Sequence, residues 1–228
     1  MAGMKKRIKI DSAILTFLIL LTGCLYVFPQ LYATPRFWDQ VFDLVGFISI
    51  FMGVFMRMAA RSHKKLNSQE GHGLVISGPY QHVRNPMYLG TFLLGFGFIL
   101  MVWPWWLLPV FVILFYLRFR RQVLIEEEHL QGLFGQEYEK YCRRVPRLFP
   151  RLRRLSRARL RDHFAWRELW LTKEKFALLG WPLFAFMMEL GQEKLIFGSF
   201  FVLPTLVTLL VAIMVFEFFI WSVYRRDA

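Results

Sequence analysis

The chain has 228 residues, is 56% hydrophobic, and carries 29 Lys and Arg against 16 Asp and Glu, a net charge of +13. So much apolar surface must be buried in lipid or protein, which excludes a disordered chain. A basic surplus joined to an apolar excess fits a membrane protein with basic loops rather than a nucleic-acid binder. The two cysteines, Cys24 and Cys142, exclude a disulfide scaffold.

A spanning helix needs about 20 apolar residues. Residues 12–32 form an uncharged run, too long for a signal peptide and without its small-residue cleavage pattern, and read as a retained span. Residues 38–58 form the second. Asp39 and Asp43 fall in its first turns, where the helix dipole tolerates acids. The next apolar stretch is broken at Trp103-Pro104-Trp105-Trp106, which predicts a helical hairpin of spans 87–102 and 104–121 turning at an interface. Two further spans are expected at 175–190 and 197–221, the last with Pro204 inside it and Glu217 near its end.

The expected fold is therefore an all-α integral membrane protein with about six transmembrane helices. Residues 1–150 form its core, with segments 59–86 and 122–150 as a small cytosolic helical cap. Residues 151–228 add a basic linker and the last two spans. The linker's arginines alternate with Leu152, Leu155, Leu160, Phe164 and Trp166, as in an interfacial helix on an anionic leaflet. With a cytosolic N-terminus, six spans leave only Arg36 and Lys194 of all the lysines and arginines outside. The positive-inside rule then puts both termini in the cytosol. The host membrane would be the inner or plasma membrane of a bacterium or the endoplasmic reticulum of a eukaryote.

Soluble chemistry has two places to assemble. In the first, Ser77-Gly78-Pro79 and Asn85-Pro86 forbid a continuous helix. Pro86 suits the first turn of the hairpin, with Asn85 as its N-cap. Such a helix start offers free N–H groups to a polar or anionic ligand group, although a connecting loop would use the same residues. In the second, Glu126-Glu127-Glu128 follow Arg118, Arg120 and Arg121 on one helix, with Gln122 and Glu126 sharing a face. The run reads either as a solvated charged face or as a carboxylate pair at the mouth of a pocket for a cationic ligand. No His pair has metal-ligand spacing, so no metal site is expected. Cys142 has no His in a recognisable relation to it and reads as a bystander.

Two separated blocks carry a resemblance. His72-x-Leu74-Val75, Gly78, Tyr80, Arg84-x-Pro86-x-Tyr88, then Glu126-Glu127 and Phe134-Gly135-x-Glu137-Tyr138-x-x-Tyr141-x-x-Arg144-Val145-Pro146, resemble the isoprenylcysteine carboxyl methyltransferase family of integral membrane enzymes, over residues 60–150. The related phospholipid N-methyltransferases share a Gly-x-Gly and an acidic pair, which Gly95-Phe96-Gly97 and Glu126-Glu127 would fit. Small residues in a membrane helix more often serve packing. The resemblance implies S-adenosyl-L-methionine as cofactor, wrapped by His72, Gly73, Leu74, Val75, Tyr80, Asn85, Pro86, Met87 and Tyr88 and fixed by Glu126 and Glu127. It implies Arg144 as the residue reaching the substrate carboxylate. Asn85 departs from the family's frequent His and cannot carry a positive charge. The implied activity is methyl transfer to a lipid-like or isoprenylcysteine-type carboxylate entering from the membrane. The alternatives are a phospholipid or other amine or thiol methyltransferase, an NADPH-dependent membrane reductase, and a non-catalytic membrane scaffold.

Overall fold

The computed structural model describes residues 16–17, 20–32, 36–68, 73–150, 166–198 and 200–225. Their regular structure is helical, with no strand among them. The helices are α1 (20–26), α2 (Arg36–Asn67), α3 (Pro86–Val102), α4 (Leu108–Arg144), α5 (Trp166–Leu171), α6 (Ala177–Phe197) and α7 (Val202–Arg225).

α2 is the central helix. Phe47, Ile50, Phe51, Val54, Phe55 and Met58 recur every three or four residues and are all buried. On one side Phe51 stacks on Phe216 of α7, ring centroids 5.2 Å apart, and Phe55 meets Phe216 and Phe219 edge-on. On the other side α3 lies against α2 with almost no side chain between them. A Cβ on Gly53 would stand 2.7 Å from the carbonyl oxygen of Gly90, and one on Gly97 would stand 2.5 Å from that of Gly46. The two glycines on each helix are seven residues apart, so matching turns of the antiparallel pair meet backbone to backbone. Gly97 is thereby committed to packing, and Gly95 sits under the ring of Phe111 on α4. The Gly-x-Gly of the sequence thus joins helices.

The hairpin forms where it was predicted. α3 ends at Val102, and Trp103-Pro104 turns the chain into a short 3₁₀ helix, Trp105–Leu107. Trp103 donates from Nε1 to Thr22 Oγ1 at 2.8 Å, which ties the turn to α1. α4 does not stop at residue 121. Its apolar half, packed through Phe111, Phe115 and Phe119, runs on into the charged segment, so Arg118, Arg120, Arg121 and the acids Glu126–Glu128 share one helix. The break comes at Gly135, whose φ of 49° is open to a residue without Cβ.

Among the described residues, two stretches are long and apolar enough to cross a membrane, Phe37–Asn67 and Val202–Val223. The apolar window of α7 is only 17% buried, against 50% for α2, so its exposed leucines and phenylalanines need lipid or another protein. α3 is apolar but shorter, and Glu189, Glu193 and Lys194 interrupt α6. α1 ends at residue 26, well short of the predicted span 12–32, whose first residues lie outside the described ones. The predicted interfacial helix at 151–165 also lies outside them.

Candidate functional site

The basic end of the bundle is built by four segments. The last turns of α2, which runs on to Asn67, bring Arg57 and Lys64. The irregular chain 73–85 folds back over it, with Ser77 Oγ 2.8 Å from His63 Nε2. That chain is then closed onto the segment following α4. Arg84 N donates to the Pro146 carbonyl at 2.8 Å, Asn85 N to that of Arg147 at 3.2 Å, and Tyr141 Oη to that of Tyr80 at 2.6 Å. Tyr138, Tyr141 and Val145 are buried against Leu74, Leu130 and Phe134 beneath this seam. Asn85 holds the N-cap position of α3, but its side chain makes no cap; Nδ2 donates to the Arg147 carbonyl at 3.3 Å.

These segments enclose a cavity of about 650 Å³, within the range that holds cofactor-sized ligands. Gly73, Leu74, Val75, Tyr80, Asn85, Pro86, Met87, Tyr88, Glu126 and Glu127 all line it. His72 lies outside the described residues. Arg144 does not line the cavity; it ends α4 with its side chain exposed.

The acidic pair splits into two environments. Glu126 Oε1 accepts from Tyr88 Oη and from Gln122 Nε2, both at 2.8 Å. These are neutral donors that fix the carboxylate and leave its charge unopposed by them. Glu127 is enclosed by two guanidiniums. Arg84 Nη1 is 3.1 Å from Oε1, and Arg147 donates from Nε to Oε1 at 3.1 Å and from Nη2 to Oε2 at 2.6 Å. That planar fork spends both oxygens of Glu127 within the protein. Glu128 is exposed.

Burial, and then the charge of Glu126, push the Tyr80 phenol up to about 12. Burial raises Tyr138 and Tyr141 as well. The three phenols are therefore neutral at physiological pH. The bond to Glu127 raises Arg147, so that guanidinium remains charged.

Sequence reasoning gave no role to Arg57, Arg147 or Arg84, the last named there only as part of the motif. Arg57 donates to Thr91 Oγ1 at 2.8 Å and to Glu174 through Nε at 3.3 Å and Nη2 at 3.0 Å. Glu174 follows α5, so the last third of the chain holds an arginine of the cavity wall in place. The sequence signal was present: Arg57, Arg61 and Lys64 recur at helical spacing across the end of the apolar run.

Residues 41–137 match the family model described as phospholipid methyltransferase. A protein-S-isoprenylcysteine O-methyltransferase B of Arabidopsis thaliana is 30% identical over 109 residues, 44% of this chain and 55% of the relative. A protein-S-isoprenylcysteine O-methyltransferase of Schizosaccharomyces pombe is 32% identical over 79 residues, 35% of this chain and 34% of the relative. The chain is thus similar over residues 41–137 to the phospholipid methyltransferase family model, and over part of its length to protein-S-isoprenylcysteine O-methyltransferases. A Delta(14)-sterol reductase of Mus musculus is 35% identical over 83 residues, 35% of this chain and 20% of the relative. The chain spans about half the length, or less, of these curated relatives. No solved structure matches it. The matched segment carries Arg57, Arg84, Glu126 and Glu127, whereas Tyr138, Tyr141, Arg147 and Glu174 come from beyond it.

Proposed function

We propose that the chain is an S-adenosyl-L-methionine-dependent membrane methyltransferase acting on a lipid-like acceptor with a free carboxylate, of the isoprenylcysteine type. The observation that carries this reading is the state of Glu126: an acid on the wall of a cofactor-sized cavity, oriented by two neutral donors and, among the described residues, not by a cation. In our reading the basic end faces the cytosol, both termini lie there, and the full chain crosses the membrane about six times. The positive-inside distribution of the basic residues supports this.

The cavity's residues fit the cofactor chemically. Glu126 suits a sulfonium, and Leu74, Val75, Leu130, Leu133 and Phe134 supply an apolar wall. Bound S-adenosyl-L-methionine supplies an electrophilic methyl group. Tyr88 and Gln122 hold Glu126 in one orientation, so its charge needs no rearrangement when a cation arrives. The seam between 84–85 and 146–147 closes the cavity and excludes water on that side. A carboxylate acceptor is ionised at neutral pH and needs no base. An amine would have to shed a proton to a base, a step that an ionised carboxylate acceptor avoids, and on that ground we take the carboxylate as the acceptor. Arg144, outside the cavity wall, is given a part only in the acceptor's approach.

The test is methyl transfer from labelled S-adenosyl-L-methionine to farnesylcysteine, with the free carboxylate or with its amide, by the full chain in lipid nanodiscs. The expected product is a base-labile methyl ester on the carboxylate form alone. Label only on an amino-phospholipid of the nanodisc would move the chain to the amine-methylating alternative. No transfer to either acceptor, with the cofactor bound, would remove the proposed substrate class.

A further inference from the structure

Three carboxylates meet at the opposite end of the bundle. Asp39 and Asp43 stand one turn apart on α2, and Glu189 reaches them from α6. One carboxylate oxygen from each lies within 4.8 Å of the other two. Asp43 is 4% exposed and Glu189 is completely buried. Asp39 precedes Arg57 of the cavity wall by 18 residues of the same helix, roughly 27 Å along its axis, so this cluster is separate from that cavity.

A second observation does not depend on the clustering. Both oxygens of Glu189 are sealed from solvent and have no hydrogen-bond partner among the described residues, and the Tyr26 hydroxyl is buried in the same condition. Tyr26 is within electrostatic reach of Glu189, with its ring 6.0 Å from that of Tyr32. Two nearby donors, Tyr32 and Gln192, are engaged elsewhere. Tyr32 Oη donates to the Val102 carbonyl at 3.3 Å. The Gln192 amide, in the orientation that satisfies both its ends, donates to the Met101 and Val102 carbonyls at 2.9 Å each. Glu193, one turn beyond Glu189, accepts from the Phe201 backbone N–H at 3.1 Å.

Carboxylates this close in a buried site cannot all remain ionised without a counter-charge. A shared proton would neutralise one charge at a time; a divalent ion offsets two and can accept oxygen ligands from several carboxylates at once. Donors that are all oxygen select a hard cation such as Mg²⁺, Ca²⁺ or Mn²⁺ over softer metals. We propose that Asp39, Asp43 and Glu189 form a binding site for one hard divalent cation, which ties α2 to α6 at the end of the bundle remote from the methyl-transfer cavity. The acids at the start of α2, readable as mere partners of the helix dipole, thereby acquire a ligand.

The experiment is a titration of the purified full chain, stripped with chelator, with Mn²⁺, reading free Mn²⁺ by electron paramagnetic resonance. The wild type is expected to take up one equivalent, released by excess Ca²⁺ or Mg²⁺, and its Tm is expected to rise with Mn²⁺. Glu189→Gln and Asp43→Asn, nearly isosteric, are each expected to weaken uptake by at least about tenfold. No uptake by the wild type up to millimolar Mn²⁺ would overturn the proposal and leave protons as the neutralising species. This reading needs no folded variant. Uptake undiminished in both variants would overturn it equally, because the ion would then sit elsewhere.

Discussion

Glu127→Ala is expected to destabilise the protein by about 3 kcal/mol, because it strands two guanidiniums that now share one carboxylate. Arg84 is largely buried, so its charge has little water to fall back on; Arg147 is half exposed and suffers less. For a chain of this length the loss corresponds to a fall in Tm of roughly 6–12 °C, measurable by thermal unfolding in detergent. Arg147→Lys removes the planar fork but keeps the charge, and is expected to cost about 1 kcal/mol. Arg144→Lys, with an exposed side chain off the cavity wall, is expected to leave Tm unchanged. An unchanged Tm for Glu127→Ala, or an Arg144→Lys loss equal to that of Arg147→Lys, would show that the clamp does not hold the loop.

Gly53→Ala and Gly97→Ala are each expected to cost roughly 2–3 kcal/mol, a large effect for one methyl group. The added Cβ meets carbonyl oxygens of the facing helix at 2.7 and 2.5 Å, and backbone cannot rotate away as a side chain can. Relief requires α2 and α3 to separate. Both helices line the cavity, so cofactor binding should fall along with Tm. Gly132→Ala is the control: a Cβ there meets nothing within 4 Å, and alanine favours the helix. The account of the α2–α3 contact fails if all three variants melt alike.

What the sequence made legible follows from which forces are local. Asn85-Pro86 and Trp103-Pro104 punctuate the chain, and α3 begins and ends at them. The change from apolar to charged residues along α4 marks a change of surroundings and not the end of a helix, as Arg118–Glu128 on one helix requires. Only Gly135 breaks the helix, well inside the polar part. Gln122 and Glu126 share a face as helical spacing requires, and they are hydrogen-bonded. The two roles within Glu126-Glu127 could not be read, because Arg84 and Arg147 reach Glu127 from chain segments on either side of it. The seven-residue glycine spacing repeated on two successive apolar helices was visible in the sequence and marked their contact face. Asp39 and Asp43 looked self-sufficient at a helix start, since nothing local announces Glu189, about 150 residues away in sequence.

The central claim is that the cavity at the basic end of the bundle binds S-adenosyl-L-methionine through Glu126. Isothermal titration of the purified chain with S-adenosyl-L-methionine and, separately, with NADPH tests it most directly. The account predicts saturable binding of S-adenosyl-L-methionine and none of NADPH, with Glu126→Gln weakening the former by roughly 1–3 kcal/mol, about 5- to 150-fold. Tyr88→Phe should weaken it less, since the carboxylate remains and loses one of its two donors. Binding of NADPH in place of S-adenosyl-L-methionine, or an affinity for S-adenosyl-L-methionine unchanged in Glu126→Gln, would contradict it.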